Sequence, residues 1–327
     1  MSAPKMSAHD WALLVALSVL WGGSFFLAGL TLKEVTHHAL AFFRVFIAAL
    51  TLGLTALALR VSLPKGMAVW GRLALLSLFS TTIPFTLLYW AQTHIASGLA
   101  SILNAMTPIF TILVAHVFTR DEKIDAQRLV GVLAGIAGVA IIVGPSAIDH
   151  QGGNLWAEAA VLGAGCCYAV ASVYGRRFSG QSPVIISFAQ MAFASLFLLP
   201  MMLIAGPALR VSALSLTTIG GVLALGSIST GLAYVLFFRI LARAGATNAV
   251  LVTLLVPVSA ILLGVLILGE TIAPRQFAGL ALIALGLLVN DGRPVDFVGR
   301  QLVRLWQRPD VSGEASLRMI NEPHHSQ

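Results

Sequence analysis

Ten times in 327 residues the chain runs through about twenty mostly apolar positions before a polar break. A helix rises 1.5 Å per residue, so about twenty residues cross the ~30 Å hydrocarbon core of a bilayer. Hydrocarbon offers backbone N–H and C=O groups no water, so each block must close its hydrogen bonds internally. Only 10% of the residues are charged and 58% are hydrophobic, against about 25% and 45–50% in soluble domains. A soluble fold of this length would lack the charge to cover its surface. The expected fold class is an all-α membrane protein with ten transmembrane helices.

The apolar blocks predict helices over 11–31, 38–59, 70–92, 97–118, 127–145, 155–175, 183–205, 216–239, 246–268 and 274–290. The first block is too long for a signal-peptide core and ends without a small-x-small cleavage site, so it is expected to stay as a helix. With residues 1–10 cytoplasmic, all of the 20 Lys and Arg fall on the cytoplasmic side except Lys33, Arg210, Arg275 and the intramembrane Arg44. That bias puts both termini inside a cell (inner) membrane, the 291–327 tail included. It also accounts for the net charge of +7 without nucleic acid. In the tail, Val295, Val298, Leu302 and Leu305 share one helical face and Arg300, Arg304 and Arg308 the other, as in an interfacial helix. Cys166 and Cys167 are adjacent and project about 100° apart, so they do not bridge readily. Neither they nor any His/Cys spacing suggests a metal, and no cofactor is expected.

The chain also repeats. Shifted by 149 positions, Pro108 meets Pro257 and Ile112 meets Ile261; after one lost residue, Glu122 meets Glu270, Gly131 meets Gly279 and Gly138 meets Gly286. Five helices per copy is an odd number, so the second copy (155–290) enters the membrane opposite to the first (11–145). The charges agree: loops 2–3 and 4–5 are basic in the first copy, loops 6–7 and 8–9 in the second. Inverted repeats are a recurrent plan of secondary transporters, with the substrate between the halves.

The segments WGGSFF, SGLASILNAMTPIFTILVAHVF and TNAVLVTLLVPVSAILLGVLILGE resemble EamA-type members of the drug/metabolite transporter superfamily. The resemblance covers residues 11–290. It implies a ten-helix basket, a central cavity lined by the first four helices of each half, and a fifth helix that braces each half. It also implies export of amino acids or other metabolites. After helix four this chain has Arg120-Asp121-Glu122 where Gly-Glu is usual.

Helix four carries Ser97, Ser101, Asn104, Thr107 and Thr111 within an arc of about 120°. Each hydroxyl can bond back to its own helix; the Asn104 amide cannot be fully satisfied that way. Tyr89 with Thr82 and Thr86, Ser227 and Tyr234 with Thr230, Trp21 with Ser18 and Gly22, and Tyr168 with Ser172 could wall a common cavity. The expected substrate pathway is therefore Trp21, Tyr89, Ser97, Ser101, Asn104, Tyr168, Ser227 and Tyr234. Pro84, Pro108 and Pro257 are expected kinks or hinges. Gly131, Gly135 and Gly138 permit close packing, inside the protomer by preference over a dimer seam.

No Asp or Glu lies deep in a span, which weakens exchange of cationic drugs for protons. Arg44 could attract a substrate carboxylate, but snorkelling outward or pairing with a carbonyl end is the expectation. His94 and His116 are expected near the membrane faces. HExxH, GxGD and acidic metal clusters are absent from the sequence, so an enzyme is the distant alternative. The expected function is export of small metabolites, amino acids first, apolar and aromatic ones included, by alternating access. Drug or other metabolite efflux is the alternative. The expected partners are a small-molecule substrate and lipid, with no nucleic acid, in a monomer or homodimer.

Overall fold

Polar residues at the block edges fix where helices begin. Ser7 and Asp10 form a capping box, with Asp10 N–H on Ser7 Oγ at 3.2 Å and Ser7 N–H on Asp10 Oδ2 at 3.0 Å. Thr36 and Ser215 cap their helices through the N–H groups of Ala39 and Thr218. These contacts satisfy donors that a helix start leaves unpaired.

A computed structural model describes residues 7–118, 126–148, 153–178, 180–205, 214–237, 239–240, 252–269 and 271–291. Within them ten helices follow one another: α1 (Ala8–Thr31), α2 (His37–Ala58), α3 (Met67–Ala91), α4 (Ser97–Phe118), α5 (Ala126–Ile148), α6 (Gly153–Gly175), α7 (Pro183–Ile204), α8 (Leu216–Phe237), α9 (Val252–Leu268) and α10 (Pro274–Asp291). Among the described residues, seven helices are long and apolar enough to cross a membrane: α1–α4 and α6–α8. Shorter apolar stretches lie in α5 (Leu129–Gly138) and α9 (Leu255–Ile267). The amphipathic tail segment, the Arg120-Asp121-Glu122 loop and positions 246–251 fall outside the described residues.

Large apolar side chains face outward, as with Leu57 and Ile204 at 74% and 85% exposed, while Thr31, Ser77, Thr81, Ser101 and Thr230 are fully buried. This polarity suits a molecule solvated by lipid, with polar groups satisfied inside.

The main contacts between helices keep their pattern when α1–α5 are exchanged with α6–α10. α5 packs on α10, α2 on α7 and α4 on α9, each against its own counterpart. α1 on α9 mirrors α6 on α4; α1 on α8 mirrors α6 on α3; α2 on α8 mirrors α7 on α3. The α5–α10 seam gives the direction. A Cβ on Gly138 would lie 2.7 Å from Gly279 O, and one on Gly286 would lie 2.5 Å from Gly131 O. These two approaches are equivalents of each other in the 148-residue register, and they make the pair antiparallel. The axis relating the halves therefore crosses the helices instead of running along them. Gly131 and Gly138 of α5 serve this internal seam, where bare backbones meet, while a Cβ on Gly135 would meet Ile109 and Met106 of α4. The same logic recurs where Gly22 of α1 meets Ser259 and Ala260 of α9, and where Gly165 of α6 meets Thr107 and Phe110 of α4.

The two halves also meet in the α1–α2 turn. Ser215 N–H, at the start of α8, donates to Glu34 Oε2 at 2.9 Å. That N–H, with the hydroxyls of Thr218 and Ser215, holds the Glu34 carboxyl below its ordinary value. A lowered carboxylate favours the folded contact above the ordinary carboxylate range and loses that preference as pH falls through its folded value. The melting difference between wild type and Glu34→Gln should therefore be present at pH 7 and vanish in acid below the carboxylate range. Thermal melts from pH 3 to 7 check this; a difference that persists in acid would remove the carboxylate as its cause.

Candidate functional site

Two π-turns set the geometry at the junction of the halves. Pro84 has no N–H, so the carbonyl of Ser80 loses its usual donor. The helix widens instead: Leu78–Thr82 form a π-turn and Ile83 N–H reaches back to Leu78 O. A second π-turn, Ser227–Leu232, occupies the matching place in α8, with Ala233 N–H on Ile228 O. Such turns shift side chains out of helical phase and are frequent at functional sites. Here they hold Ser80, Thr81, Thr82, Ser229 and Thr230 buried.

Arg44 reaches the second of these turns. Its Nε–H donates to Thr230 Oγ1 at 2.9 Å and its Nη1–H to the Tyr89 hydroxyl at 2.6 Å. The Thr230 hydroxyl itself donates to Leu225 O at 2.8 Å, which leaves its lone pairs for the arginine. The guanidinium carbon lies 4.2 Å from the centre of the Phe85 ring, within cation–π range. Arg44 is 7% exposed. The expectation that it snorkels is therefore corrected. It sits on the buried face of α2 with Val45 and Ala48. Among the described residues no carboxylate pairs with it, and its three other N–H groups have no acceptor.

Aromatic rings from both halves surround this cation. Phe85 and Tyr89 come from α3, Tyr168 from α6 and Tyr234 from α8, and Tyr168 and Tyr234 pack against the apolar cluster that holds Phe85 and Tyr89. Tyr168 packs against both of the larger apolar clusters, so it stands where they join. Trp21 of α1 meets Tyr234 edge to face at 6.3 Å and Phe237 at 5.6 Å. Four of the residues picked from sequence, Trp21, Tyr89, Tyr168 and Tyr234, thus gather around one point.

The hydroxyls divide differently. Ser101 Oγ donates to Gly98 O, Thr107 to Asn104 O, Thr111 to Thr107 O and Ser227 to Leu223 O. Their own helices consume these groups. Ser97 is buried at the first turn of α4. The Asn104 Oδ1 is buried and makes no hydrogen bond among the described residues. Asn104 ends the first half of α4, which breaks at residues 105–106 just before Pro108. α9, by contrast, runs unbroken through Pro257 from Val252 onward. Thr82 Oγ1, in the first π-turn, and Gln92 Oε1 are likewise buried side-chain oxygens without a bond among the described residues. His94 is exposed beyond α3, as expected.

The sequence reading missed the π-turns, Phe85 and the weight of Arg44. Arg44 carried a signal, since a charge inside a span is a functional candidate by default, and Pro84 marked the first π-turn only as a kink. Glu158 is 2% exposed in the second turn of α6.

Residues 10–144 and 155–290 each match the EamA-like transporter family. An uncharacterized transporter of Archaeoglobus fulgidus is 26% identical over 85% of this chain and 97% of its own length. The uncharacterized inner membrane transporter YedA of Escherichia coli K12 is 27% identical over 84% of this chain and 88% of its own. A probable terminal-alkyne amino-acid exporter of Streptantibioticus cattleyicolor is 26% identical over 88% and 95%. A solved crystal structure shares the fold, with a TM-score of 0.63 and 19% identity over 87% of this chain and 98% of that one. Two consecutive matches cover both halves of a bundle whose packing repeats in the same two halves, so the chain is a membrane transporter of the EamA-like family, and not an enzyme.

Proposed function

We propose that the protein exports small metabolites, amino acids first and apolar or aromatic ones among them, by rocking its two halves in alternating access. The observation that carries this reading is the convergence of Trp21, Tyr89, Tyr168 and Tyr234 where the halves meet. Rings of this kind suit partly apolar solutes, and the resemblance to a probable amino-acid exporter supports that class. The buried oxygens of Asn104 and Thr82 supply polar groups that a passing solute or water would satisfy. Pro84, Pro108 and Pro257, with the π-turns, are the proposed flexing points. Ser97, Ser101 and Ser227 would line the route through their helix backbones more than through free hydroxyls. The basic loops and tail support a cell inner membrane location with both termini on the cytoplasmic side. The glycine seam is internal, so a monomer suffices. Cationic drugs are the weaker substrate class, because the charge at the junction is positive.

Flux of labelled amino acids into liposomes carrying the protein, with and without a pH gradient, tests the reading. Flux of none of them beside a working control would remove it. Asn104→Ala should lower flux about tenfold, the worth of one buried hydrogen bond of about 1.4 kcal/mol. The variant should still elute as a folded species; unchanged flux would take Asn104 off the route.

A further inference from the structure

We propose that Arg44 is the anchor for the carboxylate of the transported solute, which makes the substrate class carboxylate-bearing. This rests on the transport reading above and deepens it.

Arg44 is the eighth residue of α2, which starts at the Thr36 cap; Gln190 is the eighth of α7, which starts after Ser182. Both reach across to the π-turn of the other half. Arg44 Nε–H donates to Thr230, while Ser80 Oγ donates to Gln190 Oε1 at 3.1 Å and Ser77 Oγ to the Gln190 carbonyl at 2.7 Å. The two ties occupy equivalent places, α2 on α8 and α7 on α3. One is made with a neutral amide. The tie itself therefore needs no charge, and holding a cation away from water costs far more than holding an amide. A purely structural role would be served by Gln on both sides.

The charge is also left incompletely matched. Its two bonds go to neutral hydroxyls, and three N–H groups have no acceptor among the described residues. Tyr89 accepts from Arg44, and its own O–H has no acceptor among those residues. A planar carboxylate fits this set of donors, because guanidinium offers it two parallel N–H bonds and the tyrosine a third. The rings of Phe85, Tyr168 and Tyr234 would then face the remainder of the solute.

Competition binding tests this without any variant. The full chain in nanodiscs is offered labelled L-phenylalanine and L-leucine against each unlabelled acid or its carboxamide. The amide keeps the ammonium and the side chain and loses only the negative charge. The acid should compete on the order of 10–100 times better, the worth of a charged hydrogen-bonded contact. Arg44→Gln should bring that ratio near one, and Gln190→Ala should leave it. A wild-type ratio near one, or a ratio kept in folded Arg44→Gln, would overturn the anchor while the exporter reading stands. Folded wild type that binds none of twenty labelled amino acids would overturn the amino-acid reading and the anchor together.

Discussion

Gly286→Val should leave little folded protein in the membrane. A Cβ there meets Gly131 O at 2.5 Å, Gly135 N at 3.1 Å and the Ala134 methyl at 3.3 Å. Two of these are backbone atoms of a rigid helix, so no rotamer change relieves them. α5 and α10 would have to part along their length and give up contacts that are individually small and collectively large. Overpacking of this kind costs about 1–3 kcal/mol for one added methylene and more for a branched side chain. Gly138 faces the equivalent backbone from the other helix, so Gly138→Val should fail in the same way. The pair should not be additive, because both act on one seam. Gly71→Ala and Gly220→Ala are the controls: nothing lies within 4 Å of either position. They should melt as wild type or slightly higher, since Ala favours a helix over Gly by about 1 kcal/mol. Size-exclusion profiles and thermal melts decide; a Gly286→Val protein that melts with wild type would mean α5 and α10 do not meet as described.

Arg44→Met should separate stability from function. Replacing a buried charge by an apolar chain of similar length is often neutral or stabilising by about 1–4 kcal/mol. The hydroxyls it leaves are not stranded equally. Thr230 still donates to Leu225 O, and only Tyr89 loses its partner. The variant should therefore melt at or above wild type while amino-acid flux falls on the order of 100-fold, as expected when a charged anchor is removed from a dry site. A stability–activity trade of this form marks a residue kept for function. Retained flux would return Arg44 to a structural role, and a large drop in melting temperature would show that its hydroxyl contacts hold the bundle.

Several residues of the candidate site could be picked from the sequence. The aromatic residues Trp21, Tyr89, Tyr168 and Tyr234 could be picked because large amphipathic rings inside a span have few uses. Asn104 stood out because its amide exceeds what one helix can bond. The serines did not declare themselves. Ser101 and Ser227 look the same in sequence whether they face a solute or bond back, and the backbone carbonyl one turn away won in both. Pro84 and Pro108 announced a disturbance but not its form. One produced a π-turn and the other a break at residues 105–106, while α9 passes through Pro257 without either.

Length, hydropathy and the repeat determined by themselves that the described residues are helical throughout their long apolar blocks, that lipid is the solvent, and that two related units lie in one chain. Those outcomes depend on local chemistry: each block must close its own backbone hydrogen bonds, and proline and glycine act within a turn of where they stand. Only the tertiary structure decided how each helix is turned about its own axis, because span length leaves that rotation to neighbour packing. That rotation carried Arg44 inward to Tyr89 and Thr230, placed Gln190 in the mirrored seat, and set bare glycine backbones against each other at the α5–α10 seam.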